Sequence, residues 1–430
     1  MADRQVNVGI LGFGIVGSGA YHILTDNAEQ IEQRAGCPLV VAKVADIDWE
    51  RPRPCVVSPQ QRTTDAMAVV DDPGIDIIVE TIGGVGIAQD LVLAAIARGK
   101  SVVTSNKELM AKHGERILAA ARDQGVDVQF EGSVCGAVPV IRSLKEGLEA
   151  NRIRQIKGIL NGTTNYILTR MTEDGMPFGA ALAEAQSLGY AEQDPTADVE
   201  GIDATNKIAI LASIAFGLRV PVGEVHREGI SHITPTDIRY AGELGYVIKL
   251  LAVAKRGGNG KLEVHVSPCF VPRTHPLASV SNVFNAVFIE GHACDQIMLY
   301  GRGAGSLPTG SAVVSDVMDC ARNIVRGAQG RVPCTCEGTA TLKSLDEIET
   351  SAYLRMTVKD RPGVLGKTAT ILGEEGVSIK SVIQPEAGGE RAEIVWLTYA
   401  TTEHKLRAAC RRLEETDVVE EIAAVIRVEG

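Results

Sequence analysis

The chain opens on an apolar run, Val6 to Leu11, and a glycine-rich turn, followed by an amphipathic stretch that predicts a helix through about Ile31. The same beat then repeats. LVVAKVAD, IDIIVETIG and SVVTSNK read as short strands, with helices near 87 to 98 and 108 to 124 between or after them, and VDVQFEGS reads as a further strand. Strands and helices keep alternating, the pattern of a parallel sheet covered by helices. The first third is therefore predicted to be a doubly wound α/β domain of Rossmann type.

Beyond it, VDVQFEGSVCGAVPVI leads into a predicted helix to about Ala150, a strand RIRQIKGIL and a polar stretch from Asn161 to Tyr166. IDATNKIAILASIAFG reads as one long apolar helix beginning near Val199. Gly303-Ala304-Gly305 then sits between an apolar strand and the helix SAVVSDVMDCARNIV, so the chain is expected to return to the nucleotide domain there. Residues 331–350 lack periodicity and read as a linker. From 351 the order is β-α-β-β-α-β, with turns at Asp360-Arg361-Pro362-Gly363 and Gly388-Gly389, a ferredoxin-like module. The expected division is 1–147 for the dinucleotide, with 305–330 returning to it, 148–304 as an α+β substrate and dimerisation domain, and 351–430 as the terminal module.

Composition narrows the partners. At 430 residues the chain exceeds one core, and 23% charged with 45% hydrophobic residues suits a water-soluble protein. A net charge of -11 argues against a nucleic-acid partner. No apolar run is long enough for a membrane span and no leader-like start is present, so a cytoplasmic location is expected. The nine cysteines are expected to be reduced and mostly buried; the one close pair, Cys334 and Cys336, lacks the further ligands a zinc site needs.

Gly12-Phe13-Gly14-Ile15-Val16-Gly17 is G-x-G-x-x-G in the strand-turn-helix setting that gives it meaning. The glycines allow a tight turn, close approach of a pyrophosphate and close packing of helix on strand, while the helix N-terminus offers amide donors. Asp46, ending the second strand, is placed to bind the ribose hydroxyls of NAD; Arg51 and Arg53 just after it are alternative receivers for the 2'-phosphate of NADP. Strand ends at Thr81, Ile82 and Gly83 and at Ser105, Asn106 and Lys107 face the ligand crevice of such a sheet. Lys107 thereby becomes a candidate for chemistry, against the plainer reading of a helix start capped by Ser105 or Asn106.

The densest signal is GYAEQDPTADVEGIDATNK. Five carboxylates (Glu192, Asp194, Asp198, Glu200, Asp203) fall within twelve positions, and Lys207 lies four residues after Asp203, on the same helix face. Such crowding is unfavourable without partners, so either a solvated loop capping a helix or a binding site is implied.

From Ala185 to Lys207 the spacing A-x3-G-Y-A-x2-D-P-x2-D-V-x-G-x-D-x3-K resembles the signature of homoserine dehydrogenases. LNGTTNYIL, SNKELMA and YGRGAGSLPTGSAVVSDV are similar to further stretches of that family, in its order, over residues 5 to 330. The resemblance implies NAD(P)-dependent interconversion of L-homoserine and L-aspartate 4-semialdehyde, on the route to threonine, methionine and isoleucine. It implies Glu192 and Asp203 as substrate ligands, Lys207 as acid/base with Lys107 at the same oxygen, and Gly189 and Gly305 beside the nicotinamide. It further implies a monovalent, sodium-like cation at Glu131, Val134, Gly136 and Val138. The D-R-P-G-V-L turn resembles that of ACT domains, which implies an amino-acid effector, threonine being the expected one. A homodimer or homotetramer is expected.

Overall fold

The computed structural model describes residues 4–258, 260–385 and 389–430. It divides into two units. One takes the chain up to Gly162 together with Asp203–Glu224 and Val283–Ala340; the other holds Thr163–Ile202, Val225–Asn282 and Thr341–Gly430.

In the first unit, β1 (Val6–Leu11), β2 (Leu39–Ala45), β3 (Arg62–Thr63), β4 (Ile77–Glu80), β5 (Ser101–Thr104) and β6 (Val128–Gln129) form one parallel sheet in the order β3-β2-β1-β4-β5-β6. Every residue of β4 and β5 is buried, as continuous apolar strands require. The helix Ser306–Arg326 contributes Val313, Val317, Cys320 and Ile324 to the core formed by Val6, Val8, Ile10, Tyr21 and Leu24. Gly19 and Gly310 let it lie against the first helix, since a Cβ on Gly19 would fall 2.1 Å from the Ser306 carbonyl oxygen. The late return of the chain thus completes the nucleotide sheet's cover. Also in this unit, Phe284–Gly291 pairs antiparallel with both Ile153–Ile159 and Asp295–Arg302.

Three local expectations are corrected. The helix expected to reach Ile31 stops at Asp26 and a second one runs Ala28–Ala35, because Asp26 and Asn27 are poor helix formers and Asn27 takes a non-helical ψ of 20°. The helix expected up to Ala150 is only Val140–Arg142, continued by a wide π turn over Ser143–Gly147. The polar stretch after Asn161 is itself helical, Gly162–Glu173, with Thr163 to Leu168 buried; packing overrides the local polarity.

In the second unit, Tyr246–Arg256 and Leu262–Pro272 form an antiparallel pair. The terminal module follows the expected order: strand Glu349–Lys359, helix Val364–Glu374, strands Ile379–Ile383 and Arg391–Thr398, helix Glu403–Glu414 and strand Val419–Val428. Of the turn expected at Gly388-Gly389, Gly388 lies outside the described residues. Leu354, Met356, Leu372, Ile394, Trp396 and Leu413 make its core. Its last strand also pairs in parallel with Leu262–Pro272, placing Arg427 opposite Cys269, so one sheet runs through both segments. Ion pairs follow that seam: Arg355 to Asp237 at 2.9 Å, Arg427 to Glu228 at 2.9 Å and Lys255 to Glu429 at 2.6 Å.

Among the described residues no helix is long and apolar enough to cross a membrane. All nine cysteines are free thiols, but four are buried and five partly exposed, fewer buried than expected.

Candidate active site

The carboxyl edge of the parallel sheet is organised by an acid that sequence reading passed over. Glu80 ends β4 fully buried, and its carboxylate accepts the amides of Ile82 at 2.8 Å and Gly83 at 3.2 Å and the Thr104 hydroxyl at 2.6 Å. Asn106 ties the neighbouring strand end to the same loop. Its side-chain oxygen caps the helix Lys107–Gln124 through the Leu109 amide at 3.0 Å, while its Nδ2 donates to the Gly84 carbonyl at 2.6 Å. An acid closing an otherwise apolar strand was the available signal for Glu80. Lys107 follows as the first residue of the helix that Asn106 caps, as the plainer reading of SNKELMA expects.

Lys107 Nζ lies 2.5 Å from Asp203 Oδ1. Asp203 opens the apolar helix Ile202–Phe216, and Lys207, one turn later, donates to Asp203 Oδ2 at 2.7 Å and to the Leu160 carbonyl at 2.7 Å. Asn161 Nδ2 adds a third contact, to Asp203 Oδ2 at 2.9 Å. Asn161 stood in a recognised motif, but only the fold shows what it bonds. The side chains of Asp203 and Lys207 are 5% and 10% exposed, whereas that of Lys107 is 44% exposed. Burial by itself would raise the Asp203 pKa; the charges of Lys207 and Lys107 outweigh it, and their hydrogen bonds add to this, holding the carboxyl well below the usual range. One carboxylate between two ammonium groups leaves a local excess of positive charge. That arrangement suits an oxygen that gains negative charge or exchanges a proton during reaction.

The glycine-rich turn meets its steric requirements. Gly12 has φ of 89°, and a Cβ on Gly17 would lie 2.1 Å from the Gly12 carbonyl oxygen. A Cβ on Gly14 would meet nothing within 4 Å, so the backbone is open ahead of the helix that starts at Ile15, where Val16 and an exposed Ile15 follow. An open helix N-terminus fits a pyrophosphate. Thr81 braces the turn, its hydroxyl donating to the Gly12 carbonyl at 2.7 Å. Asp46 does the same from the other side, accepting the Phe13 amide at 2.6 Å, and it also pairs with Arg53 at 3.1 Å. Phe13 itself is buried. Gly305, φ 127°, starts the helix Ser306–Arg326.

Other expected positions are placed as follows. Gly189, φ 74°, ends the helix Phe178–Ser187 in the second unit, and Glu192 is exposed there, its carbonyl accepting from Gln186 Nε2 at 3.0 Å. Asp194 braces Thr196 at 2.6 Å and Glu200 accepts from Ser231 at 2.9 Å, both loop-building contacts. Glu131 accepts the amides of Ile141 at 2.8 Å and Arg142 at 2.7 Å, so its carboxylate caps a turn of helix. Burial raises its pKa against those bonds. Val134, Gly136 and Val138 belong to a turn in which Cys135 and Gly136 are left-handed, and a Cβ on Gly136 would fall 2.7 Å from the Gly303 backbone.

Comparison with known proteins gives three family matches. Residues 12–131 match the homoserine dehydrogenase NAD binding domain, 139–318 match homoserine dehydrogenase and 352–417 match the ACT domain. A homoserine dehydrogenase of Neisseria gonorrhoeae is 44% identical, with 99% of each chain covered. The crystal structure of one from Thiobacillus denitrificans superposes with a TM-score of 0.94 at 43% identity, 99% of each chain covered. A hyperthermophilic archaeal homoserine dehydrogenase solved in complex with NADPH aligns at TM-score 0.62 and 26% identity, over 74% of this chain and 98% of its own.

Proposed function

Because the chain belongs to the homoserine dehydrogenase family, we propose that Lys107, Asp203 and Lys207 are the groups at which L-homoserine and L-aspartate 4-semialdehyde are interconverted. The observation that carries this is the single buried carboxylate of Asp203 held between the two lysines.

NAD or NADP would be held by Gly12 to Gly17, with Asp46 for its ribose, Thr81 bracing the turn and Gly189 and Gly305 for its nicotinamide end, and would supply the hydride acceptor or donor. The chain's own groups handle the oxygen. When the hydroxyl is oxidised its proton must leave, and in the reverse direction the developing alkoxide needs a cation and a proton. Lys207, fixed by Asp203 and the Leu160 carbonyl, is the acid/base at that oxygen; Lys107, the more exposed of the two, assists there in exchanging the proton. Asp203 and Glu192 hold the substrate's polar groups. The main-chain oxygens of Val134, Gly136 and Val138, with Glu131, are hard donors suited to a sodium-like cation.

Residues 1–147 with 305–330 serve the cofactor, 148–304 the substrate and dimer contacts, and 351–430 regulation by threonine in a cytoplasmic homodimer or homotetramer. The test is homoserine-dependent reduction of NAD and NADP by the full chain and by Lys207→Met. Reduction by the full chain that is lost in the variant is expected. No reduction of either cofactor, or undiminished turnover by the variant, overturns the reading.

A further inference from the structure

A cavity of about 640 Å³ lies in the first unit, lined by the helices Lys107–Gln124 and Ile202–Phe216 and by residues 331–339. None of Lys107, Asp203 or Lys207 lines it, so it is separate from the reacting centre. Two partly exposed thiols do, Cys334 and Cys336. Arg219 Nη2 donates to Cys334 Sγ at 3.1 Å, and Cys336 Sγ lies 3.2 Å from the Ser213 carbonyl oxygen. The segment that carries them is pinned: the Glu337 amide bonds the Gly217 carbonyl at 3.0 Å and the Arg219 amide bonds the Gly338 carbonyl at 2.9 Å. A guanidinium is therefore held against one sulfur, a second thiol is next in line, and an opening large enough for a small molecule lies beside both.

We propose that Cys334 is a nucleophilic thiolate that reacts with hydroperoxides entering this cavity, with Cys336 as the resolving thiol. A thiolate forms where a cation or donors stabilise it, and it reacts only where a reagent can reach it. The hydrogen bond from the Cys336 thiol and the Cys336 backbone, aided by Arg219 and Lys145, lowers the Cys334 pKa to about 5 against the opposing effect of burial. Donating to that thiolate and being buried, Cys336 is pushed upward and stays protonated. Burial takes Cys135 and Cys269 the other way, up to about 12, outweighing the charges of Lys207 on the first and of Arg427 and Lys255 on the second. The charged groups lining the cavity are Lys112 and Glu115, Lys145 and Glu149, Arg219 and Arg331. Lys112 is paired with Glu108 and Arg331 with Glu146, and Lys145 acts on Cys334 only through its charge, whereas Arg219 is hydrogen-bonded to the sulfur.

The chemistry balances in two steps. Cys334 sulfur attacks the peroxide, an S–O bond forms as the O–O bond breaks, and water or an alcohol leaves; sulfur is oxidised by two electrons and the peroxide reduced. Cys336 sulfur then attacks the sulfenic acid, an S–S bond forms as the S–O bond breaks, and the oxygen leaves as water with the Cys336 proton.

The experiment treats the reduced full-length protein with one equivalent of hydrogen peroxide and maps the cysteines by peptide mass. The peptide spanning 334 to 336 is expected to lose two hydrogens before any other cysteine changes. Cys336→Ser is expected to retain one oxygen at Cys334, trapped by a 1,3-dione probe, and Cys334→Ser to show neither product. In the untreated protein, iodoacetamide at about pH 6 is expected to label Cys334 about tenfold faster than the partly exposed Cys294. Arg219→Met should remove that lead, and Arg219→Lys should restore part of it. Equal labelling of Cys334 and Cys294 in the wild type, or peroxide oxidation that starts elsewhere, overturns the proposal whatever the variants do.

Discussion

Lys107 and Lys207, one hundred residues apart in sequence, share the carboxylate of Asp203: Lys107 Nζ is 2.5 Å from Oδ1 and Lys207 Nζ is 2.7 Å from Oδ2. The two differ in what else holds them, since Lys207 also donates to the Leu160 carbonyl while Lys107 is nearly half exposed. Replacing either by Met should therefore have different kinetic signatures. Lys207→Met is expected to lower kcat by about a hundredfold or more, the size of a lost proton-handling or charge-stabilising group. Lys107→Met is expected to shift the pH profile of kcat as well as its height. A Lys107→Met profile parallel to the wild type would remove that lysine from proton exchange.

Asp203→Asn tests the same site through stability. Asp203 and Lys207 are both buried, and a buried ammonium that loses its carboxylate costs about 3 to 5 kcal/mol. The folded-state pKa of Asp203 is depressed, so its contribution is present above the unfolded carboxylate value of about 3.9 and is lost as pH falls from there through the folded value. Urea unfolding is expected to show the wild type losing stability below about pH 4 more steeply than the variant. Parallel slopes would contradict the assignment.

Asp46 both grips the Phe13 amide and pairs with Arg53, whose Nε donates to the Phe13 carbonyl at 2.5 Å. Asp46→Asn removes the charge that would repel a 2'-phosphate and releases Arg53. The ratio of kcat/KM for NADP over NAD should rise about tenfold, equivalent to about 1.4 kcal/mol. A ratio that stays put would mean that neither residue meets the ribose.

Regulation by the terminal module is better tested by a point change than by cutting the chain near residue 345. Removal of the module would leave the buried Asp237 without Arg355 and Tyr353, which bond it at 2.9 Å and 3.1 Å, and would strip a neighbour from the strand Leu262–Pro272. The shortened chain is expected to lose about 3 to 5 kcal/mol of stability. Gly363, φ 92°, sits in the D-R-P-G-V-L turn, and Gly363→Ala strains it by about 1 kcal/mol. Expected is weakened threonine inhibition with turnover retained; unchanged inhibition would place the effector elsewhere.

His265 is buried, with its pKa lowered to about 4 mainly by loss of solvent. Glu263, Glu429, Lys255 and Arg427 are the charges around it. A depressed histidine contributes stability that is complete above its unfolded pKa of about 6.5 and is lost as pH falls towards the folded value. On the order of 3 kcal/mol should disappear between about pH 6.5 and 4, and His265→Gln should flatten that part of the curve. Equal curves would show that the neighbouring acids, not the imidazole, set the slope.

Much of the molecule is decided by local pattern. Continuous apolar strands, the glycine turn at Gly12 to Gly17, the return at Gly305 and the β-α-β-β-α-β tail are each fixed by periodicity and turn chemistry within about 10 to 30 residues. The pairing of Asp203 with Lys207 was also legible, because four residues on a helix bring side chains together. Three things were not. The bond from Lys107 to Asp203, the contact from Asn161 and the brace at Glu80 join segments far apart in the chain, and no local spacing reports on them. Whether the Asp203 pair was a weak surface contact or a strong buried one depended on the desolvation that the whole first unit imposes, which no residue's own identity encodes. The same holds for the tail: its order of elements was in the sequence, but the parallel pairing of Val419–Val428 with Leu262–Pro272 was decided only where the two strands meet.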